Sequence, residues 1–141
     1  MATASYRAAV PADRAFIVSG WSSSYRLSRD ISFIQMADYA THMHAIVESV
    51  LARPRCEVIV AHGEVLRGFI AFERPDFVHY VYVAQPYRRN GHARGLFEAA
   101  NIDPLSRFAF AARTKTSWEL RGKVPAAQFD PFRARFAQKE T

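Results

Sequence analysis

Hydrophobic and polar positions alternate along this chain in two periods, one helical and one extended. Tyr6 to Val10 is a short run that predicts a first strand. Pro11 suits a first helical position, and Asp13 puts an acid in the first turn, where the helix dipole favours it. Phe16, Ile17 and Trp21 give that helix an apolar side. Gly20 and Ser22, Ser23 and Ser24 weaken it, so it is expected to end near there. Tyr25 to Ile34 carries Arg26, Arg29 and Asp30 and reads as a loop or one irregular turn. Met36, Tyr39, Ala40, Met43, Val47, Val50 and Leu51 then recur at helical spacing, and Pro54 stops that helix. Glu57 to Ala61 and Leu66 to Phe72 predict two strands, joined by a tight turn at His62-Gly63-Glu64 into a hairpin.

From Phe77 to Val83 every residue is β-branched, aromatic or His, and neither parity is plainly polar. That pattern predicts an interior strand covered on both faces. Pro86 cannot donate to a ladder, so the strand ends before it. After Arg88-Arg89-Asn90-Gly91, the residues Ala93, Leu96, Phe97 and Ala100 form one apolar helical stripe. Asp103-Pro104 breaks the pattern. Arg107 to Ala112 reads as a further strand with Phe108 and Phe110 on one face. Arg113 to Val124 is mixed, a short helix or a loop around Trp118 and Leu120. Phe129 to Phe136 alternates Phe132, Ala134 and Phe136 with Arg133 and Arg135, a half-buried strand with a basic outer face that could pair across a dimer.

The turn at Arg88 to Arg94 has the makings of an anion site. The first N–H groups of a helix lack internal partners and carry the positive end of its dipole. Gly91 allows a ligand close to the backbone, and Arg88, Arg89 and Arg94 add full charge. A phosphate or pyrophosphate is the expected guest. The P-loop pattern is absent, because Gly91 is followed by no Lys-Ser/Thr, and only Gly91 and Gly95 stand where a dinucleotide fingerprint needs three glycines.

Arg88, Gly91 and Ala93 instead fill Arg/Gln-x-x-Gly-x-Gly/Ala, preceded by Val83 and Tyr87 in Val-x-x-x-Tyr. With a strand before and a helix after, this resembles the acyl-CoA-binding motif of the GCN5-related N-acetyltransferase (GNAT) superfamily. The motif covers about residues 77 to 100, and the element order is similar over roughly residues 5 to 136. Small phage and bacterial members look closest. The resemblance implies an α/β fold with a mixed, mostly antiparallel central sheet, flanking helices and splayed central strands. It implies acetyl-CoA, or another acyl-CoA, with pantetheine against the strand backbone near Tyr82 and Val83. The pyrophosphate would lie on the turn of Arg88, Arg89, Asn90, Gly91, His92, Ala93 and Arg94. It also implies an N-acetyltransferase in which a primary amine of a small molecule or protein attacks the thioester directly. His79, whose ordinary pKa suits proton abstraction near neutrality, is the candidate base, with Asp76 and Glu73 as nearby candidates acting through water. A tyrosine acid that is frequent in the family has no counterpart, since no tyrosine follows Tyr87; Ser117 is the substitute. Trp21, Tyr25 and Tyr39 are the candidate acceptor contacts.

Composition narrows this only a little. At 141 residues with 50% hydrophobic and 23% charged residues, the chain reads as one globular domain, residues 1–141. The net charge of +6 favours anionic partners. Besides an acyl-CoA, these include nucleic acid, as in GNAT-fold enzymes that modify bases, or an acidic protein bound without catalysis. His42 and His44, two apart on a helix, do not share a face, and no metal site is expected. Cys56 is expected to be a buried, inert thiol. No run reaches membrane-spanning length, and the first residues lack the apolar core of a signal peptide. A cytoplasmic monomer or homodimer is the resulting expectation.

Overall fold

The computed structural model describes residues 4–28, 36–102, 108–110 and 127–129, with side chains described over 4–25 and 39–102. The elements are β1 (Ser5–Ala8), α1 (Arg14–Ser28), α2 (Met36–Leu51), β2 (Glu57–His62), β3 (Leu66–Glu73), β4 (Phe77–Val83), α3 (His92–Ala99), β5 (Phe108–Phe110) and β6 (Ala127–Phe129). The six strands form one sheet in chain order. β1 to β4 are antiparallel neighbours, while β5 runs parallel to β4 and β6 parallel to β5.

The sheet is buried on both faces at its centre. Side chains of a strand alternate between faces, and β3 shows the consequence. Phe69 and Ala71 pack toward α1 and α2, with Ile17, Trp21, Tyr39, Met43 and Val47. Ile70 and Phe72 pack toward α3, with Leu96, Phe97 and Ala100. All four β3 residues are fully buried. β4 lies between β3 and β5, which is the interior position expected of it.

Three local expectations are corrected. The helix expected to end near Ser24 continues to Ser28. Ser23 and Ser24 return their hydroxyls to the carbonyls of Ser19 and Gly20, at 2.8 and 2.5 Å, so these serines cap their own helix instead of breaking it. The first helix also begins differently: Pro11–Asp13 is a 3-10 turn, and Asp13 is buried. Its carboxylate takes the Val10 N–H at 2.9 Å and Arg7 at 2.7 Å. The hairpin turn lies one residue later than expected, at residues 63–65, because His62 still pairs with Leu66. In the tail, β5 falls inside the expected strand. The expected strand from Phe129 to Phe136 lies outside the described residues beyond Phe129, and Ser117 and Trp118 also lie outside them.

Gly20 matters for packing. A Cβ there would sit 2.7 Å from the Tyr82 ring. Overfilling a packed contact costs about 1–3 kcal/mol, more than the roughly 1 kcal/mol that alanine gains over glycine in a helix. Gly20→Ala should therefore lower the urea midpoint without changing the slope of unfolding.

Candidate active site

The strand, turn and helix that the sequence singles out are built as follows. After β4, Gln85–Tyr87 makes a 3-10 turn with Pro86 at its start. The backbone then reverses through two left-handed residues, Arg89 at φ 66° and Gly91 at φ 80°. Gly91 caps α3, and its carbonyl takes the Gly95 N–H at 3.0 Å. That is the first bond of the helix, so the N–H groups of His92, Ala93 and Arg94 have no carbonyl to bond within it. A Cβ on Gly91 would meet nothing within 4 Å, so the space above the turn is open. Arg89, Asn90, Ala93 and Arg94 are exposed around it.

Two members of the expected phosphate set stand apart. Arg88 turns back, and its Nε donates to the Val83 carbonyl at 2.8 Å. His92 is buried beneath the turn, with Nε2 3.4 Å from the Arg67 guanidinium and the ring 6.0 Å from that of Tyr87. Burial and, secondly, the charge of Arg67 hold the His92 imidazole below its ordinary pKa, so it is neutral at physiological pH. Arg67 also lies over the Tyr87 ring, 4.9 Å from its centroid. Sequence reasoning missed Arg67, because its position on β3 is 25 residues from the helix it supports.

The second part of the site is a bulge in β4. Register with β3 runs evenly from Val83 opposite Gly68 to Tyr80 opposite Ala71, then jumps to Val78 opposite Phe72. His79 is the extra residue, a bulge in β4. Among the described residues β5 pairs only with Phe77 and Val78, just before that bulge. Antiparallel ladders alternate the direction of their N–H and C=O groups. The Ala84 N–H bonds to Arg67 on β3 at 2.7 Å, so Tyr82 and Tyr80 also address β3, while Val83 and Val81 turn away from it. Of the two residues whose backbone was expected to meet a ligand, Val83 has the outward parity, and Val81 shares it. Tyr82 has the wrong parity, and its ring packs against Phe16 and Phe69 instead.

The candidate acceptor contacts gather on the α1 and α2 side of β4. Trp21 stacks on Tyr80 with centroids 5.0 Å apart, and Tyr25 approaches the same ring at 6.5 Å. The Tyr80 hydroxyl meets Ser24 Oγ at 2.7 Å. Burial pushes the Tyr80 phenol up to about 12, so it stays protonated. Tyr39 belongs to the same buried cluster and donates its hydroxyl to the Ser22 carbonyl at 2.5 Å. Trp21 and Tyr39 are buried; Tyr25 is half-buried.

His79 is in a network that local sequence could not disclose. Its Nε2 lies 2.5 Å from Glu73 Oε2, and the same oxygen accepts from Arg53 Nε at 2.7 Å. All three side chains are buried. Burial alone would raise the Glu73 pKa, but the hydrogen bonds and charges of Arg53 and His79 outweigh it and hold the carboxyl below its ordinary value. Glu73 is thus a carboxylate, and His79 donates from Nε2. The Cys56 thiol is pushed up to about 12 by burial, then by the Glu73 charge, and is inert. His42 and His44 are exposed on α2.

No family model matches the sequence, and comparison with curated proteins finds no relative. Solved structures do match. A predicted acetyltransferase from Clostridium acetobutylicum, determined with acetyl-CoA, is 18% identical over 85% of this chain and 87% of its own, with a TM-score of 0.57. The PaiA N-acetyltransferase from Thermoplasma acidophilum, determined with coenzyme A, is 12% identical over 70% of each chain, with a TM-score of 0.54. A GCN5-related N-acetyltransferase from Rhodopseudomonas palustris is 17% identical with a TM-score of 0.51; the match covers 70% of this chain and 64% of that one. The fold of this chain is that of the GCN5-related N-acetyltransferase superfamily.

Proposed function

We propose that the protein is an acyl-CoA-dependent N-acyltransferase that moves an acetyl group to a primary amine. The observation that carries this reading is the turn after β4, where Gly91 caps α3 in the left-handed region, leaves room for a ligand, and sets the first helix N–H groups where no helix carbonyl meets them. The residues fit the cofactor. Arg89, Asn90, Gly91, Ala93 and Arg94 would hold its phosphates through backbone N–H groups and charge. Val81 and Val83 would pair with its pantetheine arm as a neighbouring strand would. When bound, acetyl-CoA supplies a thioester whose acyl carbon an amine can attack. In that transfer the nitrogen–carbon bond forms, the carbon–sulfur bond breaks, and CoA leaves as a thiolate that takes a proton from water.

The chain itself contributes three things. The Val81 N–H turns away from β3 and would stabilise negative charge on the acyl oxygen. The aromatic wall of Trp21, Tyr25 and Tyr80 would bound the acceptor. His79, at the bulge, would take the amine's proton through one water. Holding two substrates in line supplies much of the rate.

Calorimetric titration with acetyl-CoA tests the reading. Wild type should bind in the micromolar range, and Gly91→Glu, which brings a carboxylate to the phosphates, should weaken binding at least about tenfold. Gly91→Asn tolerates the left-handed backbone and should bind within a few-fold of wild type. Wild type that does not bind acetyl-CoA refutes the proposal and turns attention to nucleic acid, whose binding would fall steeply with salt.

A further inference from the structure

We infer that Glu73, itself held by Arg53, is a positioning residue for acyl transfer: it fixes the ring and tautomer of His79 at the β4 bulge. The inference rests on the proposed N-acyltransferase activity and deepens it. The three residues come from different elements. Arg53 follows α2, Glu73 ends β3, and His79 interrupts β4. A bulge commonly re-aims a side chain next to an active site. Here the extra residue lies between Val78, which pairs with Phe110 of β5, and Val81, whose N–H turns away from β3.

The geometry selects a proton assignment. A carboxylate oxygen 2.5 Å from Nε2 requires the proton on Nε2, so Nδ1 is the nitrogen that accepts when the ring acts as a base. Once it accepts, the ring is a cation against a carboxylate in a buried setting, where opposite charges attract far more strongly than in water. Arg53 holds the carboxylate in place and keeps it ionised. Phe77 packs edge-on against the His79 ring with centroids 4.8 Å apart and limits its rotation. Among the described residues, the titratable and charged groups around the pair include Arg53 after α2, Glu73 on β3 and Cys56 before β2, whose thiol stays protonated. A network serving stability alone would account for the burial. It would leave the pH dependence of turnover untouched.

The test uses the full chain with acetyl-CoA and n-butylamine as acceptor, following thiol release against pH. Histidine ring nitrogen shifts are read by NMR in parallel. Glu73→Gln keeps the size and an accepting oxygen but removes the charge. It should lower kcat about tenfold or more, leave acetyl-CoA affinity within a few-fold, and move the acidic limb of the kcat profile together with the His79 titration. If Glu73→Gln does not fold, the double variant Arg53→Met/Glu73→Gln removes both charges and replaces it. An unchanged profile beside a shifted His79 titration overturns the inference while leaving the acyltransferase reading intact. Acetyl-CoA binding by wild type with no thiol release overturns the inference and the transferase reading together. Failure of wild type to bind acetyl-CoA is the separate result that defeats the underlying reading.

Discussion

Glu73→Ala should be the most destabilising single change in the core. The substitution leaves the buried Arg53 guanidinium without its carboxylate and takes the acceptor from His79. Breaking a buried pair from one side costs about 3–5 kcal/mol, far more than its net worth when intact, because the remaining charge stays out of water. For a chain of this size the thermal midpoint should fall by on the order of 10 °C. Glu57→Ala is the control. Its partner Arg74 lies 3.0 Å away, but both side chains are about half exposed, and such pairs contribute little. If the two variants melt alike, the buried network is not what the distances imply.

The same carboxylate sets a pH dependence. Glu73 titrates below its ordinary 4.5 in the fold. A carboxyl with a depressed folded-state pKa contributes stability that is present above its unfolded value and lost as pH falls through the folded one. Asp13 behaves alike, held down first by its Arg7 hydrogen bond. Stability should therefore fall on acidification below about pH 4.5, following the ordinary value of Glu73, and Glu73→Gln should flatten part of that fall.

Val81→Pro should abolish turnover and spare the fold. Proline has no N–H, and the alternation fixed by the Ala84–Arg67 bond turns the Val81 N–H away from β3. No ladder bond to β3 is lost, and among the described residues β5 pairs only with Phe77 and Val78, so no described strand loses a bond at Val81. Loss of one donor to a developing oxyanion costs about a hundredfold to a thousandfold in kcat. Acetyl-CoA should still bind. Tyr82→Pro, one residue on, should unfold the protein, because that N–H addresses Phe69 across the ladder. Were Val81→Pro to unfold it and Tyr82→Pro to fold, the assignment of the outward parity would be reversed.

Much of the fold was legible in the chain because it rests on local periodicity. The run of large apolar residues from Phe77 to Val83 identified an interior strand. The stripe of Leu96, Phe97 and Ala100 identified the helix that covers one face. Pro86 and Gly91 marked where the chain turns. Each signal depends on neighbours within one or two helical turns. The length of α1 was less legible, because Ser23 and Ser24 are helix-weakening by composition and bond back to the helix only once it has formed.

The site was legible only in outline. Sequence alone determined a glycine- and arginine-rich turn at Arg88 to Arg94 before a helix, and a histidine on the strand before it. Tertiary structure decided which backbone groups of β4 turn away from β3, because the Ala84–Arg67 bond and the extra residue at His79 fix the register. It also decided that His79 belongs with Glu73 and Arg53. Arg53 is 20 residues from Glu73 in the chain, and the hydrogen bond between them exists only when the end of α2 meets the end of β3. Periodicity shows which face a side chain takes; only folding brings it within 3 Å of a partner, and proton positions are set there.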